Sequence, residues 1–507
     1  MVMVKADKLR YSIAANYFAR FLSIALAVLF TPVYIKLLGI EQYGLIGFYT
    51  TLQAVAGLFE LGLGLACTRE MARLSVSDNA AQQMRDTLRT FEIVYVGTAI
   101  VIGLALSALS PQIAHTFLNT QLVAVEDRVI LIALMAWVIA LRWPFGLYLG
   151  VLNGLQRQGI MNVLVVTGAL LNWAGGALAL LLSGSIQIFF IWQLAASVLT
   201  VAASCWLTWR CVPTGRKQPV FSREILRSQQ SLIGSAGLNG ILGVILMQAD
   251  KLILSAILPL KEFAYYALAS TMAEALMLLA TPVSSAIAPR MTQMISLGNT
   301  SGELSRLFHQ SCQWINLMLI PVGLMVAIFS TAVLFAYTGS QAVAENTDAI
   351  LSILIVAKLL HGNMLVPYAL QIGWGELRMG VFLNLASVLF LTPALYLLAP
   401  EYGAMAGAMI WLTVTLGYVF IGMPLFFRKL MPGEWWGWLI GDLAVPAGAV
   451  AAILWVMKSF QDAANLERSE VFFRLVANGS VAFLVALLAL ASVRNRLVGK
   501  FILGKKQ

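Results

Sequence analysis

Residues 129–150 read VILIALMAWVIALRWPFGLYLG, and residues 349–371 read AILSILIVAKLLHGNMLVPYALQ. Each stretch is long enough to cross ~30 Å of hydrocarbon as a helix. Each carries one fixed base in an apolar run, Arg142 or Lys358, and each is broken by a proline at similar depth, Pro144 or Pro367. The rest of the chain repeats the pattern. Of its 507 residues, 60% are hydrophobic and 11% charged, with a mean hydropathy of +0.85. A water-soluble chain carries about a quarter charged residues. Apolar runs of about 20 residues recur between short polar loops, and the shorter alternating segments of a membrane barrel are absent. The expected fold is an all-α integral membrane protein with about fourteen transmembrane helices.

Charge sets the topology. The net charge of +10 comes from bases placed singly or in pairs beside apolar runs, a pattern of topology and not of nucleic-acid binding. With the N-terminus inside, 23 lysines and arginines fall on the inner side and six on the outer, which places both termini in the cytoplasm. The N-terminal bases Lys5, Lys8 and Arg10 precede a long apolar run with no small-residue cleavage site, and this reads as a retained first helix. Cys67, Cys205, Cys211 and Cys312 have neither disulfide-like nor metal-like spacing and read as reduced thiols.

A repeat emerges at a shift of about 220 residues, six predicted helices along. Gly154-Leu-Gln-Arg157-Gln-Gly159 corresponds to Gly375-Glu-Leu-Arg378-Met-Gly380, Tyr148 to Tyr368 and Arg69 to Arg290. An even number of helices per repeat gives two bundles of the same orientation, related by an axis along the membrane normal. The expected division is a first six-helix bundle at 1–209, a linker with Pro213, Gly215 and Pro219 at 210–228, a second bundle at 229–430, and helices thirteen and fourteen with a basic tail at 431–507.

Four bases remain inside helices: Arg20, Arg142, Lys251 and Lys358, on helices one, four, seven and ten. Burying one centrally costs ~2.5–3.5 kcal/mol on insertion scales, so such residues normally face a cavity. His361 is a fifth candidate cation, about 220 residues beyond Arg142. Pro144 and Pro367 break corresponding helices, a pointer to a transporter's site and to hinges. The bland alternatives are snorkelling side chains, counter-ions and packing kinks. Glu60, Asp250 and Glu274, with Asp442 beside them, are the intramembrane carboxylates that can carry a proton or bind Na⁺, or pair with the bases. No enzyme site emerges: His115, His309 and His361 lie far apart, and no phosphate-binding Gly-x-x-x-x-Gly-Lys-Ser/Thr loop is present.

The stretch from Asn16 to Arg73, with Gly39-Ile-Glu-Gln-Tyr43-Gly44 and Phe59-Glu60-Leu-Gly62-Leu, resembles the opening of Wzx-type O-antigen and polysaccharide repeat-unit flippases. Gln248-Ala-Asp250-Lys251, Tyr265-Tyr266-Ala, Pro282, Pro289-Arg290 and Gly154-Leu-Gln-Arg157 resemble further segments of that family, across most of residues 12–430. The resemblance implies the multidrug/oligosaccharidyl-lipid/polysaccharide superfamily fold, with two six-helix bundles and two terminal helices around a cationic lumen. It implies alternating access and an undecaprenyl-pyrophosphate-linked oligosaccharide carried to the outer leaflet of a bacterial inner membrane. It also implies H⁺ or Na⁺ as coupling ion, no cofactor, and membrane lipids, a polysaccharide polymerase and glycosyltransferases as partners. The family often has Asp where this chain has Glu60. A pyrophosphate buried in a low-dielectric cavity needs fixed positive charge, which Arg142 and Lys358 would supply. The competing readings are a multidrug and toxin extrusion antiporter of the same fold, whose lumen would be dominated by carboxylates, and a lipid scramblase or membrane scaffold in which the charges are structural pairs.

Overall fold

In hydrocarbon every backbone N–H and C=O must be satisfied within its own segment, so apolar runs of this length fold as helices. The computed structural model describes residues 6–60, 62–77, 80–120, 124–215, 217–297, 302–376, 378–460 and 467–490. No strand occurs among them. The expected basic tail beyond residue 490 lies outside the described residues.

The chain forms two compact units, residues 1–264 and 265–507. The first holds α1 (Ala6–Ala56), a 3₁₀ turn at Gly57–Glu60, α2 (Leu63–Ser75), α3 (Ala81–Ala108), α4 (Ser110–Phe117), α5 (Val125–Arg142), α6 (Pro144–Gly154), α7 (Gln158–Ser183), α8 (Ile186–Cys211), α9 (Arg223–Ile257) and the start of α10 (Leu260–Ala275). The second continues from α10 with α11 (Met277–Ser296), α12 (Gly302–Ile328), α13 (Ser330–Thr338), α14 (Gln341–Gly362), α15 (Leu365–Trp374), α16 (Arg378–Tyr402), α17 (Ala404–Gly417), α18 (Met423–Leu430), α19 (Val445–Ser459) and α20 (Arg468–Ala489). Two π-helical segments, Tyr418–Gly422 and Gly437–Ala444, lead into α18 and α19.

Twelve helical stretches among the described residues are long and apolar enough to span a membrane. The first, Phe21–Glu60, is interrupted at Gly39, whose φ of +78° suits a residue without Cβ. The seventh predicted helix is α9, where Gln229, Gln230, Asn239, Gln248, Asp250 and Lys251 dilute the apolar run. Splitting the first stretch at Gly39 and adding α9 gives fourteen crossings. The protein is a multi-pass membrane protein, and large apolar side chains such as Leu182, Leu397 and Phe473 point outward, as lipid allows and water does not.

Several spans are broken, and the breaks recur. Helix two of the sequence parses into the end of α1, the 3₁₀ turn and α2, with Gly62 left-handed at φ +75°. Helix four divides between α5 and α6, and Pro144 opens α6, where its missing N–H costs no bond. In the second unit α10 gives way to α11 at Leu276, and α14 to α15 between Gly362 and Leu365. In the first unit α2 packs on α6, α1 on α7 and α3 on α5. The α2–α6 approach depends on glycine: a Cβ on Gly154 would lie 2.5 Å from the Thr68 carbonyl and 2.8 Å from Met71 Cβ. In the second, α14 packs on α17 and α12, and α12 also meets α19 and α20.

Candidate functional site

The two breaks of the first unit lie side by side. Glu60 ends the 3₁₀ turn, and its Oε1 accepts from the Gly64 N–H of α2 at 3.2 Å and from the Tyr95 hydroxyl of α3 at 2.8 Å. A Cβ on Gly64 would stand 2.5 Å from that oxygen, so a side chain there would displace the carboxylate from this position. A Cβ on Gly146, in the first turn of α6, would be 3.8 Å from Oε2. The Glu60 carboxylate thus sits where two half-helices begin, and the unpaired N–H groups of helix starts favour negative charge.

On the other side of the Pro144 break, Arg142 ends α5, half-buried. Its guanidinium donates from Nη1 to Asn172 Oδ1 at 3.0 Å. Asn172 is held in turn: its Nδ2 donates to the Gly168 carbonyl at 2.6 Å, and its own carbonyl accepts from Gln193 at 3.0 Å. The Tyr49 hydroxyl is buried and lies beside the Arg142 guanidinium. No carboxylate among the described residues comes within ion-pair distance of Arg142. A guanidinium has five N–H donors in a planar fork, so a base whose polar neighbours are a neutral amide and a tyrosine hydroxyl keeps donors for an anion.

In the second unit Lys358 is buried at 8% exposure, with its Nζ 4.9 Å from the centre of the Trp411 ring on α17. His361 follows one turn later, at the end of α14, and Pro367 lies in the first turn of α15. Gly362 admits Leu319 of α12, which a Cβ would meet at 2.4 Å. Asp250 is buried on α9 and Lys251 beside it is half-buried. Glu274 is exposed near the end of α10 and accepts from Ser270 at 3.5 Å. Arg20 lies on α1, and its side chain is outside the described residues. The first unit therefore brings Glu60 to the start of α6, two residues beyond the break that Arg142 borders, whereas the second sets Lys358 and His361 on one helix and Glu274 on another.

Two further polar clusters are buried, one around Glu92 and one around Asp442, which the sequence already offers as an intramembrane carboxylate. In the first unit Glu92 of α3 accepts at Oε1 from Tyr148 (3.0 Å) and Trp209 (2.7 Å), and pairs at Oε2 with Arg89 (3.2 Å). In the second, Asp442 in the π-helical segment meets His309 Nδ1 at 2.5 Å and accepts from Gln313 at 2.7 Å, and its carbonyl accepts from Asn316 at 2.7 Å. His309 Nε2 meets Glu434 at 3.1 Å, and Ser305 donates to Glu434 at 2.5 Å. The Ser305 bond first, and then His309, hold the Glu434 carboxyl below its ordinary value. Beyond Asp442 itself, the signal in the sequence was spacing: His309 stands about 220 residues from Arg89.

A sequence model of the polysaccharide biosynthesis protein family matches residues 10–295. A putative O-antigen transporter of Shigella flexneri is 19% identical over 374 residues, covering 74% of this chain and 87% of its own length. The fold is similar to the lipid II flippase MurJ in an inward closed conformation (TM-score 0.69, 13% identity, 96% of this chain and 99% of that one). It is also similar to an inward-facing multidrug resistance transporter of the MATE family in the MOP superfamily (TM-score 0.62, 16% identity, 80% and 94%).

Proposed function

The chain belongs to the polysaccharide biosynthesis protein family, and from that membership we propose that it is a flippase for an oligosaccharide repeat unit linked to undecaprenyl pyrophosphate. In this reading it works in a bacterial inner membrane with both termini cytoplasmic, and carries its substrate from the cytoplasmic to the periplasmic leaflet by alternating access coupled to a cation gradient. The O-antigen transporter likeness and the flippase-like fold support the substrate class.

The observation that carries the reading is Arg142. A fixed base at a helix break inside an apolar span, steadied by a neutral asparagine, supplies what a pyrophosphate needs and what an organic cation would avoid. Lys358, buried against an aromatic face, is a second candidate base. Glu60, on the far side of the Pro144 break, is a candidate to carry the coupling cation, since its second oxygen faces a glycine. Breaks at 144 and 362–365 would let half-helices tilt during the cycle.

The test is deletion of the gene with analysis of both surface polysaccharide and lipid-linked oligosaccharide on the cytoplasmic side. The expected result is loss of the first and accumulation of the second. Intact surface glycan together with lost tolerance to lipophilic cations would instead identify a drug antiporter.

A further inference from the structure

At one end of the second unit, the loop after α15, the start of α16 and the end of α18 enclose an open cavity of about 880 Å³. Its polar walls are Glu376, Arg378, Arg428 and Lys429, and its apolar walls Met379, Phe382 and Leu425. Lys429 is paired with Glu376 at 2.7 Å. Arg378 and Arg428 have no ion-pair partner among the described residues. Three bases against one acid leave the cavity with two net positive charges. Arg378 is also the first residue of the 25-residue α16, so the positive end of a full-length helix adds to the charge.

Bases beside a membrane span are ordinary, and the corresponding place in the first unit shows what ordinary looks like. There Arg157 occupies the N-cap of α7, and Arg210, near the end of α8, has its guanidinium carbon over the Trp206 ring, 3.9 Å from the ring centre. The second unit differs in turning its bases into one concave site. The wall of that site continues down a helix open to lipid: only 11% of the apolar window of α16 is buried, the lowest value among the twelve spans. Phe382, Leu385 and Leu389 form an exposed stripe three and four residues apart along it.

We propose that this cavity binds the headgroup phosphate of an anionic membrane phospholipid, with the acyl chains lying along Phe382, Leu385 and Leu389. A basic mouth above an apolar, lipid-facing wall fits a charged phosphate on a hydrocarbon tail. A soluble phosphate would use the bases and leave the stripe idle. The Glu376–Lys429 pair sets how strongly the site holds its ligand, because the carboxylate subtracts from the field that the phosphate meets. The site uses neither Arg142 nor Glu60 and does not depend on which substrate the protein carries.

The experiment uses the purified full chain in mixed micelles of phosphatidylglycerol and phosphatidylcholine, with retained lipids counted by native mass spectrometry. The wild-type protein retains phosphatidylglycerol preferentially. Arg378→Gln and Arg428→Gln each reduce that retention about fivefold, as expected for loss of one base near a charged headgroup, while Arg378→Lys and Arg428→Lys keep most of it. Glu376→Gln raises retention, an outcome that a purely structural ion pair would not produce. Unchanged retention in the double glutamine variant, or reduced retention in Glu376→Gln, overturns the site. Displacement by millimolar inorganic phosphate, or retention of undecaprenyl phosphate in place of phosphatidylglycerol, overturns the choice of ligand.

Discussion

Glu92 in the first unit and Asp442 in the second are both buried carboxylates within hydrogen-bond networks, yet they are placed differently in the chain. Glu92 belongs to α3 and is gripped by donors from α6 and α8, all within the expected first repeat. In the second unit, α12 supplies donors instead: His309, Gln313 and Asn316 reach out to an acid on the π-helical lead-in to α19, outside the repeat. The comparison teaches that a buried polar network can be anchored from either side: α3 supplies the acid in one, and α12 the donors in the other. It also gives the thirteenth crossing a structural task, since Asp442 ties it to α12. π-Helical turns inside α-helices often mark such sites, because the extra residue redirects a side chain.

The largest expected effect breaks that comparison at Asp442. Asp442→Ala leaves His309, Gln313 and Asn316 facing a void, and removing one partner of a buried charged network costs ~3–5 kcal/mol. A lowered melting temperature and reduced membrane abundance are the readout. Asp442→Asn retains the shape and should recover much of the loss. Glu92→Gln keeps acceptance from Tyr148 and Trp209 and loses only the Arg89 pair, so it should cost less than Asp442→Ala. Equal or greater loss for Glu92→Gln would show that the two networks do not differ as the geometry says.

The second prediction concerns flipping and not stability. Arg142→Ala should reduce complementation of a deletion strain about 10- to 100-fold at matched protein level, the range for losing a hydrogen bond to a charged group. Arg142→Lys should retain part of the activity, because a point charge replaces the fork. Asn172→Asp is the sharper variant. It places a carboxylate beside the guanidinium and occupies the base, at the cost of the bond that Asn172 donates to the Gly168 carbonyl, so activity is compared at matched protein level. Full activity in Asn172→Asp would falsify the assignment of Arg142 to an anionic headgroup.

How much of this was legible differs by kind of feature. The membrane fold was, because apolar length and loop charge are local properties of sequence: fourteen crossings follow from runs such as 129–150. Single residues that violate their surroundings were also visible, as with Arg142, Lys358 and Glu60. Their partners were not. Asn172 lies 30 residues from Arg142, Tyr95 lies 35 from Glu60, and Asp442 lies 133 from His309, so no periodicity or motif links them. Tyr95, Trp209 and Gln313 look like ordinary helix-face residues until packing brings a carboxylate to them.

A third prediction separates the bases of the two units. Arg142 is held by an amide, but Lys358 lies over an aromatic ring, where the ring's negative face stabilises the ammonium by about 0.5–2 kcal/mol. Trp411→Leu should therefore lower thermal stability modestly, whereas Trp411→Phe should restore part of it. Lys358→Arg should be tolerated better than Lys358→Ala in complementation, since either base can use the ring. Equal stability of Trp411→Leu and wild type would remove the ring from the account.

The smallest effect sharpens the same contrast through pH. The first unit's Glu92 is paired with a permanently charged arginine, while the second unit's network ends on Glu434, a half-exposed carboxylate held by Ser305 and His309. The folded-state value of Glu434 is lowered, so its contribution is fully present above the unfolded carboxyl value and is lost as pH falls through the lowered one. With 36% of the side chain exposed, solvent screening confines that contribution to about 0.2–1 kcal/mol. Melting temperatures of wild type and Glu434→Gln should differ slightly near neutral pH and converge as the pH is taken below the ordinary carboxylate range. Ser305→Ala should shrink the gap, because the hydroxyl is the larger cause of the lowering. A gap that widens on acidification would reverse the sign of the linkage and show that the neutral form of Glu434 is the one the network prefers.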